Sequence, residues 1–274
     1  MSNRLDIELV RRGLARSRRQ AGELIAAGQV LVDGVTAVRS ATPLRPEQDV
    51  EVLAGTDPGY ASRAGHKLVG ALDAWEVQGL RVAGRRCLDA GASTGGFTDV
   101  LLRRGAEHVV AVDVGHDQLV QSLRDDPRVE VREGVNVRRL HAGDVTPAPD
   151  LVVADLSFIS LTLVLPALVD VAAPEADVVV MVKPQFEVGR ERLGSGGVVR
   201  SPELRAEAVL DVARCATRLG WHVAGVVQSP LPGPSGNVEY FVWLNRRGSS
   251  TSDADLVEQV ERAVRAPAPG GDES

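Results

Sequence analysis

Lysine is rare in this chain, and its two occurrences, Lys67 and Lys183, are the residues most suited to proton chemistry. The chain has 274 residues and 31 lysines and arginines, of which 29 are arginine. Arginine keeps its proton under ordinary conditions, whereas a lysine amine held away from water can release one. Either lysine alone is readily explained by chance. Both lie in motif-like stretches, and this favours a chemical role for the pair.

Charged side chains also mark the ends of several predicted strands. Asp89, Asp113, Asp155 and Lys183 each close a short apolar run, and Glu239 lies at the start of the last such run. In an open α/β sheet, ligands bind at the carboxyl ends of the parallel strands. If the last strand is antiparallel, its start lies at this same edge, and the five side chains converge there. A helix cap is the alternative reading for Asp89 and Asp113.

Strands and helices alternate from Arg86 onward, which predicts an α/β domain with a Rossmann-like, mainly parallel sheet. Residues 229–237 form a Pro- and Gly-rich spacer without room for a crossover helix, so we expect the last strand to be antiparallel. A helix from Ser62 to about Trp75 precedes the sheet and carries Lys67. The predicted strands are residues 86–90, 108–113, 128–132, 150–155, 177–182, 222–228 and 238–244.

The first strand of this sheet ends in a turn of small residues, and an amphipathic helix follows it. Strand, tight loop and helix in this order place backbone N–H groups and a helix N-terminus against a nucleotide-like ligand. The glycines do not follow the G-x-G-x-x-G spacing of dinucleotide-binding proteins, so the pattern predicts a nucleoside-type cofactor and leaves redox and transfer chemistry both open. Asp113 lies 22 residues after Gly91, close to the offset at which an acid meets ribose hydroxyls. The candidate cofactor residues are Asp89, Gly91, Ala92, Ser93, Thr94, Gly95, Gly96, Phe97, Asp113 and Asp155.

Two lysines and two carboxylates together suit alkyl transfer to a sugar hydroxyl. A ribose 2′-hydroxyl is a poor nucleophile at neutral pH, so it must lose its proton or be strongly polarised. A desolvated lysine can accept that proton or stabilise the alkoxide, while flanking carboxylates position the amines and balance their charge. This chemistry needs no metal ion, and the five histidines show no metal-ligand spacing.

The N-terminal residues 4–53 predict a small α+β module that is rich in arginine. Its expected elements are helices over 4–12 and about 17–27, a strand at 30–32, a turn at 33–34 and a strand ending at 50–52. Five arginines and no acid lie between Arg11 and Arg19, so we expect these side chains to be free to neutralise phosphates. A solvated charged face is the alternative. The candidate phosphate-binding residues, which would bind a nucleic acid, are Arg4, Arg11, Arg16, Arg18, Arg19 and Arg63.

Several stretches carry a resemblance to known families. RLD (4–6), GLARSR (13–18) and VLVDG (30–34) resemble the S4 RNA-binding domain, which carries RNA-modifying enzymes to structured RNA. LDAGASTGGF (88–97), ADLSFIS (154–160), VKPQFEVG (182–189) and GNVEYF (236–241) resemble FtsJ-like 2′-O-methyltransferases. Over about residues 4–245, the chain therefore resembles the TlyA family of ribosomal RNA methyltransferases.

The resemblance implies a catalytic tetrad of Lys67, Asp155, Lys183 and Glu239. It also implies S-adenosyl-L-methionine as the methyl donor, bound by the 89–96 loop and Asp113. The implied reaction is 2′-O-methylation of cytidine in ribosomal RNA, and the implied partners are the small subunit (16S) and the large subunit (23S). An effect on capreomycin and viomycin susceptibility follows from the same resemblance.

The expected domain organisation combines the module, a linker and the sheet. It consists of an S4 domain at 1–54, a linker at 55–62, an FtsJ-like methyltransferase domain at 63–248, and a short acidic helix with a flexible tail at 249–274. The linker departs from the family pattern, because residues 58–61 read PGYA where an Arg-x-Trp-Val-like tetrapeptide is common.

The composition, with 44% hydrophobic and 25% charged residues, is that of an ordinary globular protein. No run approaches 18 apolar residues, and the charged N-terminus lacks the apolar core of a secretory signal. The two cysteines, Cys87 and Cys215, lie in apolar patterns that suit reduced thiols. We therefore expect a cytoplasmic protein without a membrane or metal partner.

Two other classes of protein remain as alternatives. A non-catalytic ribosome-binding or assembly factor would use the S4 module alone and would tolerate the loss of Lys183. A membrane-lytic activity matches the haemolysin label of some relatives. It is disfavoured because the sequence predicts neither a spanning helix nor a strongly amphipathic basic helix.

Overall fold

The computed structural model describes residues 3–15, 18–26, 30–37, 39–45, 48–52, 59–247 and 252–266. Contacts within the chain divide it into two units, Met1–Gly59 and Tyr60–Ser274. Each unit has its own hydrophobic core and is described by itself.

The first unit packs two helices on short antiparallel strands. Its helices are α1 (Leu5–Arg11) and α2 (Arg18–Ala26), and its strands are β1 (Asn3–Arg4), β2 (Val30–Val32), β3 (Val35–Thr36), β4 (Pro43–Leu44) and β5 (Val50–Val52). β2 pairs with both β3 and β5, and β1 pairs with β4. Asp33 and Gly34 both have positive φ angles, as the tight turn between β2 and β3 requires. The core contains Leu5, Leu9, Ala21 and Ile25, which lie at helical spacing.

The second unit is built around a seven-stranded sheet. Its strands are β6 (Arg86–Ala90), β7 (His108–Val112), β8 (Val129–Arg132), β9 (Leu151–Ala154), β10 (Asp177–Val182), β11 (His222–Gln228) and β12 (Tyr240–Asn245). Its helices are α3 (Ala64–Glu76), α4 (Gly96–Arg103), α5 (Gln121–Arg124), α6 (Leu165–Val171), α7 (Pro184–Glu187), α8 (Pro202–Arg218) and α9 (Asp253–Arg265). The spatial order is β11-β12-β10-β9-β6-β7-β8. β12 is antiparallel to both of its neighbours, β10 and β11, so the predicted mainly parallel α/β sheet with an antiparallel last strand is confirmed.

Both faces of the sheet are covered, which explains why its strands read as continuous apolar runs. In β10, Val178, Val180 and Val182 point into one core with α6, α8 and α9. Val179 and Met181 point into the other core with α3 and α4. This double burial fixes the strand ends, and therefore fixes the charged residues that follow them.

The acidic helix α9 is part of the second unit, because Leu256, Val260, Ala263 and Val264 are buried. Residues 53–58, 248–251 and 267–274 lie outside the described residues, so the proposed linker limits and the C-terminal tail stay predictions. Among the described helices, none is long and apolar enough to cross a membrane.

Candidate active site

Three of the four predicted tetrad residues flank adjacent strands at one edge of the sheet. Lys183 directly follows β10, Asp155 directly follows β9, and Glu239 directly precedes β12. Val182 is paired with Tyr240, and Val180 is paired with Ala154. These registers place the three charged side chains beside one another, as the strand-end argument predicts.

Lys183 is held between two side chains of the β9–α6 segment. Its Nζ lies 2.6 Å from Asp155 Oδ1 and donates a hydrogen bond to Ser157 Oγ at 2.7 Å. The Lys183 and Asp155 side chains are only 10% and 17% exposed. The amine is therefore shielded from bulk water and fixed in direction, while one side of the pair remains open to the adjacent cleft.

Lys67 reaches the same edge from α3 and pairs with Glu239. Its Nζ donates to Glu239 Oε2 at 2.5 Å, and the two side chains are 8% and 1% exposed. The loop before β12 closes over this pair: a Cβ atom at Gly233 would lie 2.5 Å from Glu239 Oε1. Sequence reasoning requires a partner for Glu239 but leaves both lysines open. The structure assigns that partner to Lys67.

A cleft of about 440 Å³ opens beside the Lys183–Asp155 pair. Its floor is formed by the loops that follow β6, β7 and β9. Asp113 is fixed on this floor, since its carboxylate accepts hydrogen bonds from the backbone N–H groups of Ser93 at 2.8 Å and Gly115 at 2.7 Å. The cleft is lined by Gly91, Ser93, Asp113, Val114, Gln118, Val135, Asn136, Val137, Arg138, Asp155, Leu156, Ser157, Phe158, Ile159 and Val164.

The predicted cofactor residues divide into two groups. Gly91, Ser93, Asp113 and Asp155 line the cleft. The others, Ala92, Thr94, Gly95, Gly96, Phe97 and Asp89, belong to the strand end, loop and helix start that support it. Phe97 is 2% exposed, and its ring centroid lies 6.1 Å from that of Phe241, so it is a core residue.

Asp89 is also a supporting residue. It is fully buried and accepts a hydrogen bond from Thr98 Oγ1 at 2.7 Å. Burial raises the pKa of its carboxyl to about 7, and the nearby Asp155 and Asp113 charges act in the same direction. The buried carboxyl therefore ties β6 to the first turn of α4, directly beneath the glycine turn.

The floor of the cleft fits a nucleoside-type group. Gly91 has a φ of +87°, and a Cβ atom there would lie 2.5 Å from the Asp155 carbonyl oxygen. Only glycine therefore lets the turn after β6 approach the Asp155 backbone this closely, and both segments line the cleft. An acid at the end of β7 and apolar side chains such as Val114 and Val137 complete the environment that a ribose and a base require.

Several lining residues escape prediction from the sequence. Ser157, which binds Lys183, lies within the recognised 154–160 stretch, so proximity to Asp155 is the signal that identifies it. Gln118, Asn136 and Arg138 lie in loops after β7 and β8 that carry no motif of their own. Only the parallel order of the strands brings these loops to the cleft.

The expectation of free arginines in the first unit is wrong for the described side chains. Asp6 accepts hydrogen bonds from Arg4 and Arg18, and Glu8 accepts them from Arg11 and Arg12. The acids lie in α1, just before the arginine-rich interval. Helical spacing brings Glu8 to Arg11 and Arg12, and the packing of α1 on α2 brings Asp6 to Arg18.

These pairs still leave much of the arginine surface exposed. The Arg4, Arg11 and Arg18 side chains are 48%, 62% and 60% exposed, whereas the Asp6 carboxylate is 6% exposed. The hydrogen bonds from the arginines, that of Arg4 above all, lower the pKa of Asp6 to about 2. The acids therefore remain charged and hold the arginines, whose outer faces stay available.

The structure describes the remaining predicted RNA-binding residues to different extents. Arg63 caps α3, is exposed and donates to the Pro232 carbonyl oxygen at 3.3 Å. Arg16 lies outside the described residues, and Arg19 is described only as part of α2. Within the described ranges, no group of three or more His, Cys, Asp or Glu side chains is arranged to hold a metal ion.

Comparisons with known proteins identify the families of the two units. Residues 60–246 match the FtsJ-like methyltransferase family, and residues 3–50 match the S4 domain. The fold and site define a methyltransferase of the FtsJ-like class that carries an S4 domain.

The whole-chain relatives narrow the family further. The 16S/23S rRNA (cytidine-2′-O)-methyltransferase TlyA of Mycobacterium tuberculosis is 58% identical, covering 95% of this chain and 97% of that protein. The 23S rRNA (cytidine-2′-O)-methyltransferase TlyA of Campylobacter jejuni is 32% identical, covering 83% and 93%. A solved structure from Streptococcus thermophilus, provisionally named a hemolysin, is 37% identical with a TM-score of 0.72, covering 96% and 95%. The chain belongs to the TlyA family of FtsJ-like methyltransferases.

Proposed function

We propose that this enzyme transfers a methyl group from S-adenosyl-L-methionine to the 2′-hydroxyl of cytidine in ribosomal RNA. The observation that carries the proposal is the Lys183–Asp155 contact, whose carboxylate lines the cleft of about 440 Å³; the buried Lys67–Glu239 pair reaches the same edge of the sheet. The activities named for the relatives from Mycobacterium tuberculosis and Campylobacter jejuni support the same reaction.

In this proposal Lys183 is the residue that activates the hydroxyl. The neutral form of its amine accepts the 2′-hydroxyl proton, which leaves the ribose oxygen as the nucleophile and Lys183 as an ammonium ion that Asp155 stabilises. Asp155 holds Nζ by its charge at 2.6 Å, and the 2.7 Å hydrogen bond to Ser157 fixes the direction of Nζ. Lys67 and Glu239 form the second ion pair of the site. Lys67 offsets the charge of Glu239, which lies beside Lys183 in the strand register.

The cleft residues Asp113, Asn136 and Ser93, with the backbone of Gly91, would hold the cofactor. The Asp113 carboxylate suits ribose hydroxyls, and Val114 and Val137 suit the faces of an adenine ring. When bound, the cofactor supplies an activated methyl group together with its own leaving group, so the protein needs no covalent intermediate.

The exposed ring of Phe158 provides a surface for the nucleotide to be modified. This side chain is 91% exposed, lines the cleft, and lies 5.2 Å from Phe186 between ring centroids. A ribose inside an RNA helix reaches a cleft only when its nucleotide is swung out, and an aromatic ring stabilises the displaced base by stacking. We assign Phe158 this role. The substitution Phe158→Leu should lower methyl transfer without lowering thermal stability.

The proposed substrates are cytoplasmic ribosomal subunits, both small (16S) and large (23S). The exposed Arg4, Arg11 and Arg18 side chains support binding to RNA phosphates. The relatives differ in substrate, since one is named for 16S and 23S RNA and the other for 23S RNA alone. The higher identity to the former favours both subunits, with loss of the gene then changing capreomycin and viomycin susceptibility.

The test is transfer of labelled methyl groups to purified small and large subunits from cells that lack the gene. Mass mapping of the RNA should locate 2′-O-methylcytidine in both subunits. Lys183→Ala should abolish transfer. Lys183→Arg should do the same, because it keeps the positive charge but offers no proton acceptor. Transfer by Lys183→Ala at the normal rate would overturn the assigned role of this lysine.

The alternative of a non-catalytic S4-domain ribosome factor gives a different result in the same experiment. Such a protein would bind subunits with and without Lys183 and would leave no methylated product. Such a factor needs no amine beside a cleft, so the Lys183–Asp155 contact would have no role in that function, which is why we place it second.

A further inference from the structure

The carboxylate of Glu187 joins the two segments that carry Lys183 and Asp155. Glu187 is the last residue of α7, a helix that begins directly after Lys183. Its Oε2 accepts a hydrogen bond from Ser160 Oγ at 2.5 Å, and its Oε1 accepts one from the Leu161 backbone N–H at 2.8 Å. Both donors lie a few residues after Asp155. One side chain therefore connects the β9 segment to the β10 segment.

This connection is the last of three successive contacts between residues 155–161 and 183–187. Lys183 contacts Asp155 and Ser157, and the Phe186 ring contacts the Phe158 ring. Glu187 then closes the series at Ser160 and Leu161. Side-chain contacts alone therefore join the loop that follows β9 to Lys183 and the short helix α7.

The segment that Glu187 holds contains a strained residue. Phe158 has a φ of +65°, in the left-handed region that non-glycine residues adopt only when surrounding contacts enforce it. Ser157 is fixed on one side of Phe158 by Lys183, and Ser160 is fixed on the other side by Glu187. The two anchors therefore flank Phe158, and Glu187 holds the side of the segment that Lys183 does not contact.

Burial of Glu187 comes with a cost that its hydrogen bonds offset. Burial raises the pKa of the Glu187 carboxyl, and the like charge of Asp211 acts in the same direction, while the bonds from Ser160 and Leu161 oppose the shift. Glu187 is not among the residues that line the cleft. Glu187 is partly buried, lies away from the cleft and accepts hydrogen bonds from one hydroxyl and one backbone N–H. These properties suit a residue that fixes the position of its neighbours.

We propose that Glu187 is a positioning residue, which acts through Ser160 and Leu161 to hold Asp155 and Ser157 in line with the Lys183 amine. This inference rests on the proposed function, because it concerns the same methyl transfer. It assigns to Glu187 an effect on the rate of the reaction that is much larger than any effect on the binding of S-adenosyl-L-methionine, although the segment also lines the cleft.

The first test compares Glu187→Ala and Glu187→Gln in steady-state kinetics with ribosomal subunits. Glu187→Ala removes both acceptors and should lower kcat by about tenfold to a hundredfold, the range expected for misplacement of about 1 Å, with the KM for S-adenosyl-L-methionine unchanged within about twofold. Glu187→Gln should recover most of the rate, because its amide oxygen accepts from Leu161 and its NH₂ group donates to Ser160. Glu207→Ala is the control, since Glu207 is exposed on α8 and pairs with Arg192.

A second measurement follows the position of the segment directly. Amide hydrogen exchange of residues 155–163 should be faster in Glu187→Ala than in the unaltered enzyme, and unchanged in Glu207→Ala. Normal kcat in Glu187→Ala, or equal loss in the Ala and Gln variants together with a raised KM for the cofactor, would overturn the inference. If the unaltered enzyme methylates no ribosomal RNA, the proposed function fails by itself, and unchanged exchange in Glu187→Ala would then reject the positioning role independently.

Discussion

Lys67 and Glu239 are 172 positions apart in the chain, yet they form a buried ion pair with an Nζ–Oε2 distance of 2.5 Å. The pair connects α3, which precedes the sheet, to β12, which completes it. Desolvation of two charges is offset only while both partners are present. Loss of this pair should therefore disturb both the geometry of the active site and the stability of the fold.

Removing one charge of this pair should lower the free energy of unfolding more than removing both charges. Lys67→Met and Glu239→Gln should each lower the free energy of unfolding by about 3–5 kcal/mol, because one buried charge loses its partner. The double variant should recover part of that loss. Denaturant unfolding at neutral pH measures these differences. The exposed pair Arg81–Glu76, 3.1 Å apart, is the control, and its disruption should cost about 1 kcal/mol or less. Additive losses in the double variant would contradict the coupling.

Gly91→Ala should damage both stability and cofactor binding. The added Cβ meets the Asp155 carbonyl oxygen at 2.5 Å, at a residue whose φ is +87°. Gly84→Ala is a matched control, because Gly84 has a φ of +74° but nothing within 4 Å of the added atom. Strain alone should cost about 1–2 kcal/mol in either variant. Titration calorimetry with S-adenosylhomocysteine should show a loss of affinity in Gly91→Ala alone; equal affinities would place the cofactor elsewhere.

The buried Asp89 carboxyl should give stability a distinctive pH dependence. Its pKa is about 7 in the folded protein, against ~3.9 for an unfolded aspartate. Between these values the folded chain binds a proton that the unfolded chain has released, so this group's contribution to stability falls as pH rises from about 4 to about 7. In Asp89→Asn this contribution is absent. The stability of Asp89→Asn relative to the unaltered protein should therefore rise between pH 5 and pH 8, as measured by urea unfolding. Parallel pH profiles would count against a buried, proton-binding Asp89.

Arg18→Ala should weaken RNA binding in a salt-dependent way. Arg18 is 60% exposed and held by Asp6, so its outer N–H groups are fixed for contact with a phosphate. Loss of one phosphate contact should reduce the slope of log affinity against log salt concentration by about 1. Arg81→Ala in the second unit is the control, because Arg81 is 62% exposed and also paired with a carboxylate. Filter binding to ribosomal RNA over a salt series makes the comparison. Equal slopes in the two variants would exclude Arg18 as a phosphate contact.

The positions of the charged residues at the strand ends were the part of the site that could be predicted best. An apolar run buried on both faces has a definite end, so Asp155 and Lys183 could be placed at one edge from their positions alone. The pairing of partners could not be predicted in this way. Whether Glu239 meets Lys67 or Lys183 depends on the approach of α3, which no local pattern encodes.

The arginine-rich interval shows a different reason for failure. The interval Arg11–Arg19 contains no acid, but its partners Asp6 and Glu8 lie just before it on α1. Counting the charges within one stretch of sequence leaves out acids outside that stretch, which helical spacing and helix packing bring next to the arginines. Asn136 and Arg138 illustrate the same point in the cleft, because their loops become neighbours of Asp113 only through the strand order.

The position of β12 has a practical consequence for anyone who wishes to separate stability from catalysis in this enzyme. The strand lies between β10 and β11, although it follows both in the sequence. A chain shortened before Glu239 would lose an internal strand of the sheet and the partner of Lys67 in one step. Its inactivity would therefore carry no information about chemistry. The contribution of Glu239 to the reaction has to be measured by point substitution in a complete sheet.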